Sequence, residues 1–331
     1  MATMTHDKAA QRLKSGLILA VLSASSFGLS GPLARGLMNA GWSAASVVAI
    51  RVLVAAAVLL PIAVAQLHGE WQLLRRNAFL ITAYGLVAVA GTQLAYFNAV
   101  AHMEVGVALL IEYTAPIAVV GWLWLRHRQR PGTATVAGAA LGITGLFLVI
   151  DLRSGMTTSW VGLAWALAAM VGAAGYFVLS AQGNGTLPGT VLAAGGLLIG
   201  GLGLLAAGAV GIVPLHATTN PVVFQSFTIA WWPPVLALGT VTAALAYVSG
   251  IAATRLLGSR LASFVALFEV LAALIFAWAL LGEAPRLIQL LGGALILVGV
   301  VVVRRGELTA TAEPVGEFSP EGQVLDDAPR S

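Results

Sequence analysis

Two apolar stretches each carry a glutamate deep inside them: LLIEYTAPIAVV at residues 109–120, with Glu112, and SFVALFEVLAALIFAWALLGE at residues 263–283, with Glu269. A charged side chain near the centre of a bilayer costs about 2.5–3.5 kcal/mol on insertion scales, so such a residue usually marks a pathway or a binding site. The two glutamates lie at matching points of the two halves of the chain. This match indicates a duplicated unit rather than an accident of packing.

The composition indicates a polytopic membrane protein. Of the 331 residues, 59% are hydrophobic and 9% are charged, and the mean hydropathy is +0.93. A soluble domain has about 25% charged residues, which this chain could not supply to a water-facing surface. The absence of cysteine excludes disulfides, thiolate metal sites and a cysteine nucleophile. No GxxxxGK[ST] phosphate-binding loop is present, so ATP does not drive the protein directly, and we expect no cofactor, no metal and no nucleic-acid partner.

Apolar runs long enough to cross a bilayer predict an all-α integral membrane protein with ten transmembrane helices. The spans are residues 15–38, 43–66, 77–100, 103–125, 133–150, 158–180, 189–211, 233–254, 259–281 and 286–303. Most connections are short, and 212–232 is the longest. The glycine-rich span 189–211 is the weakest helix by propensity.

The basic residues predict the orientation of the bundle. With the N-terminus inside, the internal segments hold Lys8, Arg12, Lys14, Arg75, Arg76, Arg126, Arg128, Arg130, Arg255, Arg260, Arg304 and Arg305. The opposite loops hold only Arg153 and Arg286. The positive-inside rule therefore predicts a multi-pass protein of the cytoplasmic (inner) membrane with both termini in the cytoplasm.

A repeat divides the chain into two halves. TATVAGAALGITGLFLV (133–149) resembles LIQLLGGALILVGVVVV (287–303), with Gly138 matching Gly292 and Gly145 matching Gly299. Each half holds five helices, and because five is odd, the second half enters the membrane from the opposite side. An inverted repeat of this kind permits alternating access to a site at the midplane.

The repeat predicts four segments along the chain. We expect a cytoplasmic N-terminal segment (1–14), a first five-helix repeat (15–150), a second five-helix repeat (158–305) and a tail (306–331). The tail is acidic and proline-broken and offers no apolar face to bury, so it should be disordered in the cytoplasm.

Several features together resemble the drug/metabolite transporter superfamily, as a ten-helix exporter with two EamA-type repeats. They are the arginine in VVAIRVLVAAAVLL (47–60), the aromatic stretch AYFNAVAHMEVGVALL (95–110), Pro116, the LLGE at 280–283 and the glycine-rich last helix. The sequence departs from the usual pattern at Phe27-Gly28, at Trp124-Leu125-Arg126 and at Glu269-Val270. These departures leave the fold unaffected and the substrate undetermined.

The resemblance implies secondary transport, typically export of an amino acid, an amine, another small metabolite or a drug-like compound, with proton coupling as one option. The expected partners are the substrate and the lipid bilayer, with a homodimer left open. A membrane-embedded enzyme acting on a lipid-linked group is the alternative, although the few intramembrane ionisable residues lie scattered over different helices and the loops are short. A channel is a third class, disfavoured because no polar ring is visible.

The two buried glutamates are candidates for proton coupling, and Glu112 is also a candidate for substrate binding. Each could hold a proton or a cationic group of the substrate. The structural alternative is a hydrogen bond to a neighbouring helix or to Arg51. For Glu269 the functional and structural interpretations are balanced, because its helix offers no adjacent polar residue.

Arg51 lies about eight residues inside helix 2. A side chain that snorkels to the headgroups, or pairs with a carbonyl at a helix end, is the favoured interpretation. The functional alternative is a guanidinium that holds a carboxylate of the substrate.

Polar and aromatic side chains at similar depth suggest the remaining wall of a cavity suited to an amphipathic zwitterion or an aromatic amine. Polar groups there either line a cavity or bond across helices. The candidate substrate-binding residues, besides Glu112, are Gln93, Tyr96, Asn98, Tyr113, Tyr176 and Tyr247.

Overall fold

A computed structural model of the chain describes residues 2–115, 117–118, 132–150, 159–181 and 187–312. Within these ranges, side chains are described except those of residues 2–10, 150, 176–181, 254–255, 258–264, 266, 304 and 306–312. Pro116 and residues 313–331 of the predicted tail therefore lie outside the description.

The helices are numbered here by the span to which they belong. In the first half, α1 is Ala2–Gly28 and Ser30–Asn39, α2 is Ala44–Leu67, α3 is Ala78–Ala83, Tyr84–Gly91 and Thr92–His102, α4 begins as Val105–Glu112, and α5 is Thr133–Ile150. A short helix, Gln72–Arg76, joins α2 to α3. In the second half, α6 is Trp160–Ala181, α7 is Gly189–Ala209, α8 is Trp232–Gly239, Thr240–Leu245 and the first part of Ala246–Ala266, α9 ends as Phe268–Leu281, and α10 is Leu287–Ala312.

The described helices agree with an all-α membrane protein. Five are long and apolar enough to cross a membrane: Gln11–Asn39, Ala44–Leu67, Ala78–His102, Gly189–Ala209 and Trp232–Ala253. Four shorter apolar helices fall on other predicted spans, namely Thr133–Val149, Trp160–Gly175, Phe268–Leu281 and Leu287–Val303. The remaining predicted span, 103–125, is described only as far as residue 118.

Two predicted boundaries differ from the structure, and the weakest predicted helix is present. Helix α1 begins at Ala2 rather than near residue 15, because Ala, Gln, Arg, Leu and Lys in that segment all favour a helix. Helix α10 continues to Ala312, beyond the predicted end at 303. The glycine-rich span is a regular helix, Gly189–Ala209, because its glycines meet neighbouring backbone: a Cβ at Gly200 would lie 2.7 Å from the carbonyl oxygen of Gly85.

The crossing of α5 and α10 shows the inversion of the repeat most directly. A Cβ at Gly138 would lie 2.7 Å from the carbonyl oxygen of Gly299, and a Cβ at Gly145 would lie 2.5 Å from that of Gly292. The two helices are therefore antiparallel. In the repeat Gly138 matches Gly292 and Gly145 matches Gly299. Exchanging the two halves therefore turns the contact of Gly138 with Gly299 into the contact of Gly292 with Gly145.

The other helix pairs follow the same exchange. Helix α1 packs on α8 and α9, and its counterpart α6 packs on α3 and α4. Helix α2 packs on its own counterpart, α7. Even the irregularities match, because α3 and α8 each contain a π-helical segment at the corresponding position, Tyr84–Gly91 and Thr240–Leu245. The architecture is thus two inverted five-helix repeats.

Contacts along α1 show where α8 turns into α9. Gly16 contacts Leu256 and Leu257, whereas Gly28, further along the same helix, contacts the backbone of Glu269 and Ala273. A straight helix would carry residue 269 away from Gly28, at about 1.5 Å per residue. The chain therefore changes direction between Leu257 and Glu269.

The connection between α7 and α8 forms a small cover that the prediction of helices did not include. Strands β1 (Val222–Val223) and β2 (Thr228–Ile229) pair antiparallel. We call the side of the bundle that carries this connection the hairpin face, which comprises the ends near residues 40–43, 103–104, 210–231 and 282–286. The opposite side, near residues 67–77, 187–188 and the start of α1, is called the termini face.

Backbone and side-chain hydrogen bonds fix this cover onto the helix ends of the hairpin face. The amide of Ser43 donates to the carbonyl of His216 at 2.9 Å, and the hydroxyl of Thr218 donates to the carbonyl of Ala40 at 2.8 Å. On the other side, the amide of Gln225 donates to the carbonyl of Leu280 at 2.7 Å. The connection thereby bridges the α1–α2 turn and the end of α9.

The glycine crossing of α5 and α10 gives a test of the packing. In Gly299→Ala the new methyl group would lie 2.6 Å from the carbonyl oxygen of Gly138, which is backbone and cannot move away alone. We expect a loss of about 1–3 kcal/mol in unfolding free energy, the usual cost of overpacking. Thermal unfolding in detergent measures it. Gly175→Ala is the matched control, since its methyl group would meet only Val87 at 3.7 Å, and equal stability of the two variants would contradict the crossing.

Candidate functional site

The buried guanidinium of Arg51 joins three helices in the interior of the bundle. The residue is 3% exposed. Its Nη1 donates to Oε1 of Gln93 on α3, and its Nη2 donates to the carbonyl of Thr242 on α8 at 3.0 Å. The guanidinium carbon lies 5.4 Å from the centre of the Phe97 ring, within the range of a cation–π contact.

The favoured prediction for Arg51, a side chain snorkelling to the headgroups or held at a helix end, is wrong. The carbonyl that it binds lies inside the π-helical segment Thr240–Leu245, in the middle of α8. The chain satisfies the charge internally because a helix, a side-chain amide and a ring are all in reach. Segments with π-helical turns occur frequently at functional sites.

One nitrogen of this guanidinium has no partner among the described residues. Within the part of the chain that the structure describes, Nε of Arg51 is the buried side-chain nitrogen or oxygen that makes no hydrogen bond. An unsatisfied buried polar group costs about 1–3 kcal/mol, so such a group calls for an explanation. A bound molecule that offers an acceptor would remove this cost.

Two half-buried carboxylates lie close to Arg51, one from each repeat. Glu112 ends the described helical part of α4, and Glu269 stands in the first turn of the segment Phe268–Leu281 of α9. The charges of Arg51, Glu112 and Glu269 are near enough to interact with one another. With both carboxylates ionised the three groups carry one net negative charge, and one proton or one bound cation makes them neutral.

A tyrosine links the two carboxylate-bearing helices. The hydroxyl of Tyr113 on α4 donates to Oε2 of Glu269 on α9 at 2.9 Å. The prediction noted that Glu269 has no polar neighbour on its own helix. The structure supplies the partner from the other repeat instead.

Two further tyrosines predicted for the site lie near these charges. Tyr96 is buried on α3, against Gly31, and its hydroxyl is within electrostatic range of Glu112 and Glu269. Tyr247 is within range of Arg51, and its ring packs edge-on against Phe27 with the ring centres 5.2 Å apart. The structure therefore brings seven predicted residues into one group, called the central cluster: Arg51, Gln93, Tyr96, Glu112, Tyr113, Tyr247 and Glu269.

Two predicted site residues do not join the central cluster in the described structure. The side-chain amide of Asn98 donates to the carbonyl of Leu94 on its own helix at 2.7 Å. A polar side chain that bonds back to its own helix needs no cavity, which explains its half-buried position. Tyr176 lies in α6, but its side chain is outside the description.

Two contributors to the central cluster were missed by sequence reasoning. Thr242 acts through its backbone carbonyl and Phe97 through its ring face, and neither kind of role leaves a signal in residue type. Among the described residues no group of three or more His, Cys, Asp or Glu side chains could hold a metal ion.

A second polar group, also not predicted, ties α4 to α9 and α10 at the hairpin face. The amide of Val105 donates to Oε2 of Glu283 at 2.9 Å, and the side-chain amide of Gln289 donates to Oε2 of Glu104 at 2.9 Å. We call Glu104, Val105, Glu283 and Gln289 the hairpin-face network. It borders a cavity of about 130 Å³, whose other walls are mostly apolar side chains such as Leu274.

The termini face carries a different contact. The hydroxyl of Thr190 at the start of α7 is hydrogen-bonded to Oε1 of Gln66 near the end of α2. A cavity of about 360 Å³ lies beside this pair and is otherwise apolar, with Ile62, Val248 and Leu256 among its lining residues.

Comparison with known proteins gives consistent matches. The EamA-like transporter family matches the chain twice, over residues 14–151 and 160–305. An uncharacterised transporter from Archaeoglobus fulgidus is 26% identical over 214 residues, which cover 65% of this chain and 72% of that protein. A protein crystal structure superposes with a TM-score of 0.59 at 22% identity, over 91% of this chain and 99% of that chain, and shows a shared fold.

The hairpin-face network gives a prediction about pH. Burial raises the pKa of Glu283, and the hydrogen bond from Val105 and the charge of Arg35 offset this only in part, while Glu104 adds to it. Exposure on opening would return the carboxyl to its usual pKa, so the closed face binds the proton more tightly. Closure is therefore favoured as the pH falls and is lost as the pH rises through the raised pKa.

Thiol labelling measures this, because the chain has no native cysteine. A cysteine in place of Ala277, which is buried in the wall of the cavity, reports opening to an impermeant reagent. Glu283→Gln keeps an acceptor for Val105 and removes the titration. Labelling rates are compared between two proteins that both carry the cysteine at position 277, one with Glu283 and one with Glu283→Gln. The rate for the Glu283 protein divided by the rate for the Glu283→Gln protein should rise with pH, and a constant ratio would contradict the prediction.

Proposed function

The chain belongs to the EamA-like transporter family, and from this premise we propose that it is a proton-coupled secondary transporter that exports a small metabolite across the cytoplasmic membrane. The termini face is cytoplasmic in this proposal, in keeping with the positive-inside bias of the loops. Membership of a transporter family implies that the protein is not an enzyme.

The observation that carries the proposal is the central cluster, in which both repeats contribute a carboxylate to one buried site. A site between inverted repeats can face either side of the membrane when one repeat rocks against the other. The cluster lies beyond the hairpin-face network as seen from that face, because Glu112 is two helical turns deeper along α4 than Glu104. Export therefore requires the hairpin-face network to part.

The charges of the cluster favour a substrate with an ammonium group. Arg51, Glu112 and Glu269 are neutral as a set when they hold one proton or one cation, and an uncompensated charge inside a membrane protein is costly. A proton and an ammonium group thus compete to supply the single positive charge that makes the cluster neutral. Such competition is the basis of exchange, in which an incoming proton displaces the outgoing substrate.

Nε of Arg51, which has no partner among the described residues, would also receive an acceptor group of the substrate. A zwitterion bound in this way brings no net charge, so it does not compete with the proton by charge as an amine does. The Nη atoms of Arg51 are held by Gln93 and Thr242. A substrate carboxylate would provide the missing acceptor, and tyrosine rings such as Tyr96 and Tyr247 would border an apolar body. A small amphipathic zwitterion or an aromatic amine fits this arrangement, and an export screen in a deletion strain would identify the compound.

The clustering removes one argument against a membrane-embedded enzyme, since the ionisable residues are scattered in sequence but not in space. Counterflow discriminates the two classes. Vesicles preloaded with the substrate should show substrate-stimulated exchange for a carrier. An enzyme would instead yield a covalent product.

The exchange mechanism predicts the behaviour of Glu112→Gln. Glutamine keeps the size and hydrogen bonding of the side chain but cannot take up a proton, so accumulation driven by a pH gradient should fall to background. Substrate exchange without a gradient needs no net proton transfer, so it should remain measurable, but only at a higher substrate concentration, because the variant resembles the protonated cluster from which the ammonium group leaves. Flux of the identified substrate in vesicles, with and without an imposed gradient, measures both.

Glu70→Gln is the matched control, because Glu70 is exposed in the α2–α3 connection, and it should transport normally. Gradient-driven accumulation at the wild-type level in Glu112→Gln would eliminate Glu112 as the coupling residue.

A further inference from the structure

The two carboxylates of the central cluster are equivalent in the repeat but not in their surroundings. The residue after Glu112 is Tyr113, whereas the residue after Glu269 is Val270. Tyr113 reaches across to Glu269, and the valine at the corresponding place is buried and has no polar group to return the contact. The pseudo-two-fold symmetry is therefore broken at the point where the proposed exchange takes place.

The local backbone fixes the position of Tyr113. The regular helix of α4 ends at Glu112, and the chain makes a turn in which the amide of Thr114 donates to the carbonyl of Ile111 at 3.0 Å. The hydroxyl of Thr114 donates to the same carbonyl at 2.7 Å and lies 3.0 Å from the sulfur of Met170 on α6. These contacts hold the turn, so the tyrosine ring is aimed at α9.

The chemistry of the contact distinguishes the two carboxylates. A hydroxyl that donates to a carboxylate stabilises the anion, and hydrogen bonds to an ionised acceptor are about twice as strong as those between neutral groups. Glu269 receives such a bond. The hydroxyl of Tyr113 has one proton to donate and gives it to Glu269, so Glu112 does not receive this bond.

We propose that Tyr113 is a positioning residue that divides the labour between the carboxylates. Its hydroxyl keeps Glu269 as the anion that receives the ammonium group of the substrate, and Glu112 carries the exchangeable proton. The inference rests on the proposed function, which leaves open how the two carboxylates share the proton. In one cycle a proton binds Oε of Glu112 and gives the substrate-bound cluster one net positive charge. The ammonium group then leaves Glu269, which makes the cluster neutral again, and the reverse exchange follows on the other side.

Infrared titration of the purified protein in lipid nanodiscs tests the assignment without any substrate, with the proton itself as the probe. A protonated carboxyl group gives a carbonyl-stretch band that an ionised one lacks. The wild-type protein should show a carbonyl-stretch band that titrates with pH. This band should be lost in Glu112→Gln and retained in Glu269→Gln. Loss in Glu269→Gln with retention in Glu112→Gln would overturn the proposal.

Tyr113→Phe tests the role of the hydroxyl, since it removes only the donor. The proposal expects a second band, from Glu269, to appear at a higher pH than in the wild type. This second band should be absent from the double variant Tyr113→Phe, Glu269→Gln and present in Tyr113→Phe, Glu112→Gln. A merely structural tie between α4 and α9 would leave the titration unchanged, and that result would contradict the proposal.

The outcomes separate this inference from the proposed function. If the bands behave as expected but substrate flux does not depend on the pH gradient, the different roles of the two carboxylates are supported and proton coupling is contradicted. If flux depends on the gradient but the bands follow the opposite assignment, coupling stands and the role of Tyr113 fails. Should Tyr113→Phe not fold, the two glutamine variants alone still decide which carboxylate carries the proton.

Discussion

A single buried positive charge constrains the centre of this protein. Arg51 is removed from water and from the headgroups, and a charge in that position persists only when polar groups surround it. The helices provide them in different ways: α3 gives a side-chain amide and a ring, and α8 gives a backbone carbonyl from a π-helical segment. The two carboxylates, one from each repeat, balance the charge. Anything that moves one repeat against the other must rearrange this set, which makes it a natural point of coupling between conformation and binding.

The fold is nearly symmetric, and its departures from symmetry are where direction can arise. The crossing of α5 with α10 and the matched π-helical segments follow the inverted repeat closely. The covered hairpin face carries the β1–β2 connection, whereas on the termini face the described connection between α2 and α3 is a short helix and a turn. The hydroxyl of Tyr113 likewise serves only one of the two carboxylates. A perfectly symmetric carrier would treat its two states alike, so these differences bias which face opens and where the proton resides.

Much of the architecture could be predicted because the bilayer restricts the choices. Apolar length identifies the spans, an odd number of helices per repeat dictates inversion, and the cost of burying Glu112 and Glu269 marks the site. The contacts that complete the site could not be predicted in this way. Whether Arg51 snorkels or turns inward depends on a carbonyl whose availability comes from backbone geometry. The hairpin-face network joins Glu104 to Gln289 across distant parts of the chain, and a hydrogen bond of that kind leaves no periodic trace.

The central claim is that one buried cluster faces the two sides of the membrane in turn. A cysteine at Tyr247, in the otherwise cysteine-free chain, reports access to the cluster by impermeant thiol reagents added to right-side-out or inside-out vesicles. Cysteines at Glu104 and Gln289, joined beforehand by a cleavable crosslinker, hold the hairpin face closed. Labelling is read at position 247 alone, by mass spectrometry of its peptide, so that the other two thiols do not count. The account predicts labelling there from both sides in the uncrosslinked protein, from the termini face alone in the crosslinked protein, and from both again after cleavage. Labelling from the hairpin face that persists in the crosslinked protein would contradict the account.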